Sequence, residues 1–168
     1  MKKVLTLTII LIMTMIFVNS REQSQPLKIG DKAPHFTLIS DSNKKVSLNE
    51  FKGQKVVLYF FPKADTPGWT KEACGFRNIF DEYKKAKIIV LGVSYDSPQS
   101  LDSFKRKYNL PFILLSDNTK AVAKLYGADG TMWPKRVTFL IDKNGIIQKI
   151  YEKINVNTHA AEILDDIS

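Results

Sequence analysis

The 168-residue chain contains little cysteine and little histidine, with one Cys and two His. A single cysteine excludes an internal disulfide and the Cys-x-x-Cys dithiol of disulfide reductases. His35 and His159 lie far apart and outside any ligand-spaced cluster, so we expect no metal site, no cofactor, and two ordinary surface or half-buried histidines. Repeats and low-complexity tracts are also absent from the sequence, which at this length predicts one globular domain.

The chain carries a formal charge of +8, but its lysines are interspersed with acidic residues. Asp81 and Glu82, for example, stand beside Lys84 and Lys85. Such mixing is typical of a solvated surface rather than of a basic stripe, so we expect no nucleic-acid partner.

The N-terminal segment has the composition of a secretory signal peptide. Lys2 and Lys3 precede an apolar run over residues 4–18, and small or polar residues extend to Ser20. The run is shorter than the roughly 20 apolar residues of a membrane span, so we expect no stable span, with an uncleaved anchor as the alternative. We therefore predict a signal peptide over residues 1–20, a linker over 21–29, one domain over 30–168, and export to the periplasm or medium.

Strand and helix patterns alternate along the rest of the chain. A hairpin is predicted around Asp41, and the unbroken apolar run at residues 55–61 is typical of a strand covered on both faces. Further strands are predicted at residues 88–93, 112–115, 137–141 and 146–154, and helices at 68–85, 97–108, 119–126 and 158–167. This order predicts an α/β fold with a central mixed sheet, helices on both faces and an N-terminal β-hairpin.

Residues 60–74 form the most informative segment, because a buried strand leads through Pro62 and Thr66 into the start of a helix. Unpaired N–H groups and the positive dipole end of a first helical turn stabilise an anion. Trp69 occupies this turn, and an indole offers one N–H donor and no lone pair suited to nucleophilic attack. On a helical wheel Trp69 lies in an apolar stripe and Cys74 lies off it, so we expect a core tryptophan and a partly exposed thiol.

The segment resembles the signature of peroxiredoxins of the Q or bacterioferritin-comigratory type, which have a thioredoxin-like fold. The resemblance runs from Leu27 to the C-terminus through matching stretches at residues 30–36, 93–97, 104–112, 115–117 and 136–142. It implies that Trp69 stands where the family has its peroxide-attacking cysteine, and that Cys74 matches a second, resolving cysteine of many members. It also implies that Thr66 and Arg136 hold the thiolate and the peroxide, while Pro62 shields them.

By this resemblance the chain is a thiol-dependent peroxidase of antioxidant defence. Its substrates would be hydrogen peroxide and organic hydroperoxides, and a thioredoxin-like dithiol would clear the sulfenic acid formed on cysteine. Because Trp69 replaces the nucleophile, two alternatives stay open. Either Cys74 acts as a surrogate thiol, or the chain is a peroxidase-inactive thioredoxin-fold binding domain, monomeric or a Cys74-linked dimer.

Overall fold

The computed structural model describes residues 26–167. The predicted signal peptide and most of the predicted linker lie outside these residues. The strands are β1 (Thr37–Ser40), β2 (Lys45–Ser47), β3 (Lys55–Phe60), β4 (Ile88–Ser94), β5 (Ile113–Ser116), β6 (Val137–Ile141) and β7 (Ile147–Tyr151). The helices are α1 (Pro67–Asn78), α2 (Phe80–Lys85), α3 (Pro98–Tyr108), α4 (Ala121–Leu125) and α5 (His159–Ile167), with a 3₁₀ turn at Leu48–Phe51.

The strands form one seven-stranded sheet in the order β2-β1-β5-β4-β3-β6-β7. The β3–β4 and β4–β5 pairs are parallel, and the other neighbours are antiparallel. Strands β1 and β2 form the N-terminal hairpin. The predicted mixed sheet and hairpin are therefore confirmed.

Strand β3 lies at the centre of the sheet, and its side chains alternate between two hydrophobic cores. Val57, Tyr59 and Phe61 enter the core beneath α1, α2, α3 and α5, which we call the site face. Leu58 and Phe60 enter the core beneath α4 and the 3₁₀ turn, which we call the opposite face. All five side chains are almost completely buried, as the unbroken apolar run predicts.

The helix predicted over residues 68–85 is wrong in one respect, because the structure divides it into α1 and α2. The backbone leaves the helical conformation at Ile79, where φ is −118° and ψ is 23°. After this break Tyr83 is fully buried, whereas Phe80 is partly buried. Helix α3 has a side-chain cap, since Ser97 accepts a hydrogen bond from the N–H of Ser100.

None of the helices formed by residues 26–167 has the length and apolarity that a bilayer crossing requires.

Candidate active site

The loop between β3 and α1 is held from two sides. The N–H of Ala64 donates to Asp96 Oδ2 at 2.8 Å, just beyond the end of β4. Asp65 has a positive φ of 60° and accepts hydrogen bonds from Lys107 Nζ and from the Tyr108 hydroxyl, each at 2.7 Å. The bond from Lys107, followed by that from Tyr108, lowers the pKa of Asp65. These contacts fix the direction in which the chain enters α1.

The first turn of α1 presents donors without helical partners. Pro67 is the first helical residue and has no N–H, so the groups of Gly68 and Trp69 are the foremost donors, and neither has an acceptor within the helix. Thr66 stands at the N-cap position with extended backbone, but its side chain makes no cap bond. Its hydroxyl instead donates to the Lys63 carbonyl at 3.1 Å. The helix end therefore keeps its capacity to bind an anion.

Trp69 fills the centre of this turn and is completely buried. Its indole stacks on the Phe61 ring with centroids 3.6 Å apart and planes 3° apart. The Tyr59 and Phe104 rings lie 5.0 and 5.6 Å away. Its Nε1 has no hydrogen-bond partner among the described residues. The indole is therefore part of the aromatic core of the site face.

One turn along the helix, Glu72 forms a buried ion pair with Arg136. The Glu72 side chain is 1% exposed, and its Oε2 accepts a hydrogen bond from Arg136 Nη1. Arg136 also reaches the start of α1, because its Nη2 lies 3.6 Å from the place where a Cβ on Gly68 would be. Arg136 precedes β6, whose first residue pairs with Phe60 at the end of β3. This register brings the guanidinium to the same end of the sheet as Pro62 and α1.

His159 and Thr138 complete the polar group around the ion pair. His159 is fully buried, and its Nε2 lies 2.8 Å from Thr138 Oγ1 and 3.9 Å from Glu72 Oε1. The expectation that both histidines are surface or half-buried is therefore wrong for His159, whereas His35 is exposed. Helix α5 begins at His159 and packs on α1, so its first residue is carried into the core.

Burial shifts the protonation of this group in two directions. It raises the pKa of Glu72 to about 7, against the lowering effect of Arg136. Burial and the charge of Arg136 lower the pKa of His159 to about 4. Burial, followed by the charge of Glu72, raises the pKa of Tyr59. A neutral imidazole thus lies next to a carboxyl group that titrates near neutrality.

Cys74 is a free thiol and half-buried, as the helical wheel predicts. It lies five residues after Trp69, so the helix carries it about 7.5 Å along the axis and about 140° around it. The next residue, Gly75, faces α5, because a Cβ there would lie 3.8 Å from Ala160 Cβ. The thiol therefore lies away from the first turn of α1.

Comparison with known proteins identifies the relatives of this chain. The AhpC/TSA family model matches residues 29–150. The chain belongs to the AhpC/TSA family. It is similar to the bcp protein of Coxiella burnetii, with 48% identity over 146 residues that cover 82% of this chain and 97% of that protein.

Two further relatives of this AhpC/TSA protein are named as a peroxiredoxin and a peroxidoxin. Chloroplastic peroxiredoxin Q of Oryza sativa subsp. japonica is 44% identical over 139 residues, which cover 80% of this chain and 64% of that protein. The crystal structure of peroxidoxin BcpB from Mycobacterium tuberculosis matches with a TM-score of 0.80 and 30% identity over 84% of this chain and 96% of that one. The resemblance to Q-type peroxiredoxins and the thioredoxin-like fold are confirmed.

Within this AhpC/TSA fold the predicted site residues fall into two groups. Thr66 and Trp69 belong to the start of α1, Arg136 reaches this first turn, and Pro62 lies in the loop between β3 and α1. Cys74 is separated from them. The roles that the resemblance implies for these residues stay predictions, and the structure adds that Arg136 is already paired with Glu72.

Sequence reasoning missed Glu72, Tyr59, Thr138 and His159 as members of this group. One signal was available for Glu72, which lies three residues after Trp69 and so on the same apolar stripe of the helix. A carboxylate in such a stripe requires a buried cationic partner. No comparable signal marks the other three, because their proximity depends on the sheet register and on the packing of α5.

Proposed function

We propose that this chain carries the site of a thiol-dependent peroxidase in which Trp69 occupies the place of the attacking sulfur. The observation that supports the proposal is that the Arg136 guanidinium reaches the first turn of α1, where its Nη2 lies 3.6 Å from the Cβ position of Gly68, the residue before Trp69. These groups suit a thiolate and a peroxide, and Trp69 supplies neither a charge nor a nucleophile. With tryptophan at this position, peroxide turnover falls to the level of an exposed thiol.

The chemistry of a cysteine at position 69 would proceed in two steps. The thiolate sulfur attacks the nearer peroxide oxygen, the O–O bond breaks, and the departing alkoxide takes a proton to give an alcohol and a cysteine sulfenic acid. A thiol then attacks the sulfenic sulfur and releases water as a disulfide forms. The N–H groups of Gly68 and of residue 69, together with Arg136, would stabilise the thiolate and the developing negative charge.

Replacement of the indole by a thiol tests the proposal. We expect Trp69→Cys to reduce hydrogen peroxide at least about a hundredfold faster than the unmodified chain in the presence of dithiothreitol, which is the scale of preorganised anion stabilisation. Trp69→Ser is the matched control, since it opens the same space without a thiol. The double change Trp69→Cys with Cys74→Ser measures how far Cys74 acts as the resolving thiol.

Two outcomes would overturn this assignment. If the unmodified chain turns over peroxide rapidly and Cys74→Ser abolishes the activity, Cys74 is the nucleophile. If Trp69→Cys is folded by circular dichroism yet as slow as Trp69→Ser, the groups around α1 do not activate a thiol.

A second candidate function is a peroxidase-inactive binding domain, either monomeric or joined into a dimer through Cys74. The packing of Trp69 favours it, because a residue stacked on Phe61 and closed off from solvent is an integral part of the core. Non-reducing electrophoresis of protein oxidised with diamide tests the dimer. A dimer band that Cys74→Ser removes supports it, and exclusively monomeric protein excludes it.

We further propose that the chain is exported, on the basis of Lys2, Lys3 and the apolar run at residues 4–18. N-terminal sequencing of the expressed protein should give a start near Arg21. An intact Met1 in the soluble cytoplasmic fraction would contradict this.

A further inference from the structure

The loop that leads into β6 exposes two large apolar side chains. Met132 is 67% and Trp133 42% exposed. The turn is tight, since a Cβ on Gly130 would collide with the Trp133 carbonyl oxygen. The backbone thus holds Met132 and Trp133 outward at a fixed point of the surface.

Lysines surround this loop. Lys63 Nζ lies 5.1 Å above the centre of the Trp133 ring. Lys120 Nζ donates to the Thr131 carbonyl at 2.8 Å, and Lys135 Nζ donates to the Gly127 carbonyl at 3.3 Å. Asp129 is the only acidic residue between positions 118 and 141. We call Lys63, Lys120, Met132, Trp133 and Lys135 the Trp133 face.

The N-terminal end of the described chain lies beside the same loop. Pro26 and Leu27 line a cavity of about 340 Å³ together with Gly127 and Lys135. The polar residues 19–25 separate this point from the apolar run at residues 4–18. Seven residues reach at most about 25 Å, so an uncleaved anchor would tether Pro26 within that distance of a membrane.

We propose that the Trp133 face docks on the surface of an anionic phospholipid bilayer. Tryptophan and other amphipathic side chains favour the level of the lipid headgroups, and lysines around them attract anionic lipids. Trp133 and Met132 would enter the interface while Lys63, Lys120 and Lys135 contact phosphates. Arg136, which lines the same cavity as Lys135 and Gly127, lies on this side of the domain.

Trp133 itself is the reporter for the test. The test uses the chain from Arg21 onward, which is the form that cleavage of the predicted signal peptide would leave. Trp69→Phe leaves Trp133 as the only tryptophan. We expect its emission to shift to the blue and to be quenched by brominated lipids in vesicles of phosphatidylcholine with 30% phosphatidylglycerol, but not in phosphatidylcholine alone.

Charge reversals at the two ends of β3 make matched variants. Lys63→Glu with Lys135→Glu alters the Trp133 face. Lys52→Glu with Lys143→Glu makes the same change in net charge at the other end of the sheet, about 20 Å away. We expect the first pair to weaken vesicle binding at least about tenfold, since each lysine near an anionic surface contributes to binding, and the second pair to weaken it far less.

Sedimentation with the same vesicles, using the chain with both tryptophans, provides a second readout if Trp69→Phe is unstable. Equal loss of binding in the two charge-reversed pairs would overturn the proposal, because it would indicate attraction by net charge alone. Absence of sedimentation would also overturn it. So would a Trp133 shift caused by thioredoxin but not by vesicles, which would make the loop a protein contact.

Discussion

On the site face of the sheet, four buried polar atoms have no hydrogen-bond partner among the described residues. They are Tyr59 Oη, Trp69 Nε1, Glu72 Oε1 and His159 Nδ1. On the opposite face the buried polar groups are paired. The Tyr126 hydroxyl donates to the Pro34 carbonyl at 2.7 Å, and Asp117 accepts from the N–H groups of Val122 and Ala123.

The two faces differ in whether their buried polar atoms are hydrogen-bonded, and this difference indicates where the functional site lies. An unpaired buried polar group lowers the stability of the fold by about 1–3 kcal/mol. Where function does not require such a group, we expect a hydrogen-bonded or apolar side chain in its place. The opposite face follows that rule. The site face has unpaired buried polar atoms near the first turn of α1, which is where the family resemblance independently predicts the catalytic site. Local violations of this kind are expected at functional sites.

The largest effect should follow removal of the cation from the buried pair. We expect Arg136→Met to destabilise the protein by up to about 3 kcal/mol at pH 9, because Glu72 must then take up a proton, which costs about 1.4 kcal/mol for each pH unit above its pKa of about 7. Urea unfolding followed by circular dichroism measures it. Arg106→Met is the matched control, since Arg106 pairs with Asp102 on an exposed helix surface and should lose less than about 1 kcal/mol. Equal losses in the two variants would mean that the Arg136–Glu72 pair contributes no more to stability than the exposed Arg106–Asp102 pair.

The pH dependence of stability should show two opposed titrations. Glu72 has a folded pKa of about 7, raised above the unfolded value of about 4.3, so its contribution to stability falls as pH rises between these values. His159 has a folded pKa of about 4, lowered from about 6.5 in the unfolded chain, so its contribution rises over nearly the same range. The two slopes nearly cancel between about pH 4.5 and 6.5.

Single substitutions should reveal each slope. Relative to the unmodified protein, we expect Glu72→Gln to gain stability by about 1.4 kcal/mol per pH unit as pH rises from about 4.5 to 6.5, because only His159 then titrates. His159→Asn should lose stability with rising pH by a similar slope, up to about pH 7. Urea midpoints at half-unit pH intervals measure both. Profiles parallel to that of the unmodified protein would show that the pair does not titrate in this range.

The site face is tightly packed around Tyr59. A Cβ on Gly92 would lie 2.7 Å from the Tyr59 ring, so we expect Gly92→Ala to destabilise the fold by about 1–3 kcal/mol. Gly75→Ala is the control on the same face. Its Cβ would meet Ala160 Cβ at an ordinary 3.8 Å, and alanine should stabilise α1 by up to about 1 kcal/mol. Thermal unfolding of both variants measures the contrast, and two stabilised proteins would contradict it.

The sequence predicts the fold well because the fold depends on local patterns. The apolar run of β3 and the apolar stripe through Trp69 each reflect the burial of their own residues, and both predictions are confirmed. The break at Ile79 was missed, since no proline or glycine marks it.

The candidate site is predicted less completely, for a physical reason. Residues on one loop, such as Pro62 and Thr66, can be grouped from their spacing alone. Thr138 and His159 come together only because β6 pairs with β3 and α5 packs on α1, which are long-range contacts. The pairing of Arg136 with Glu72 likewise depends on register.

The smallest expected effect is the change in stability when a buried tyrosine hydroxyl is removed, and it should differ between the two faces. Tyr59→Phe removes a buried hydroxyl that has no partner, so we expect stability to stay the same or to rise by up to about 1 kcal/mol. Tyr126→Phe removes a hydroxyl bonded to the Pro34 carbonyl and should lose about 1 kcal/mol. Both changes keep the ring and its stacking, so the difference isolates the hydroxyl. Urea unfolding at pH 7 measures it. A loss of stability in Tyr59→Phe equal to that in Tyr126→Phe would show that the Tyr59 hydroxyl is paired in solution, and that the two faces do not differ at this position.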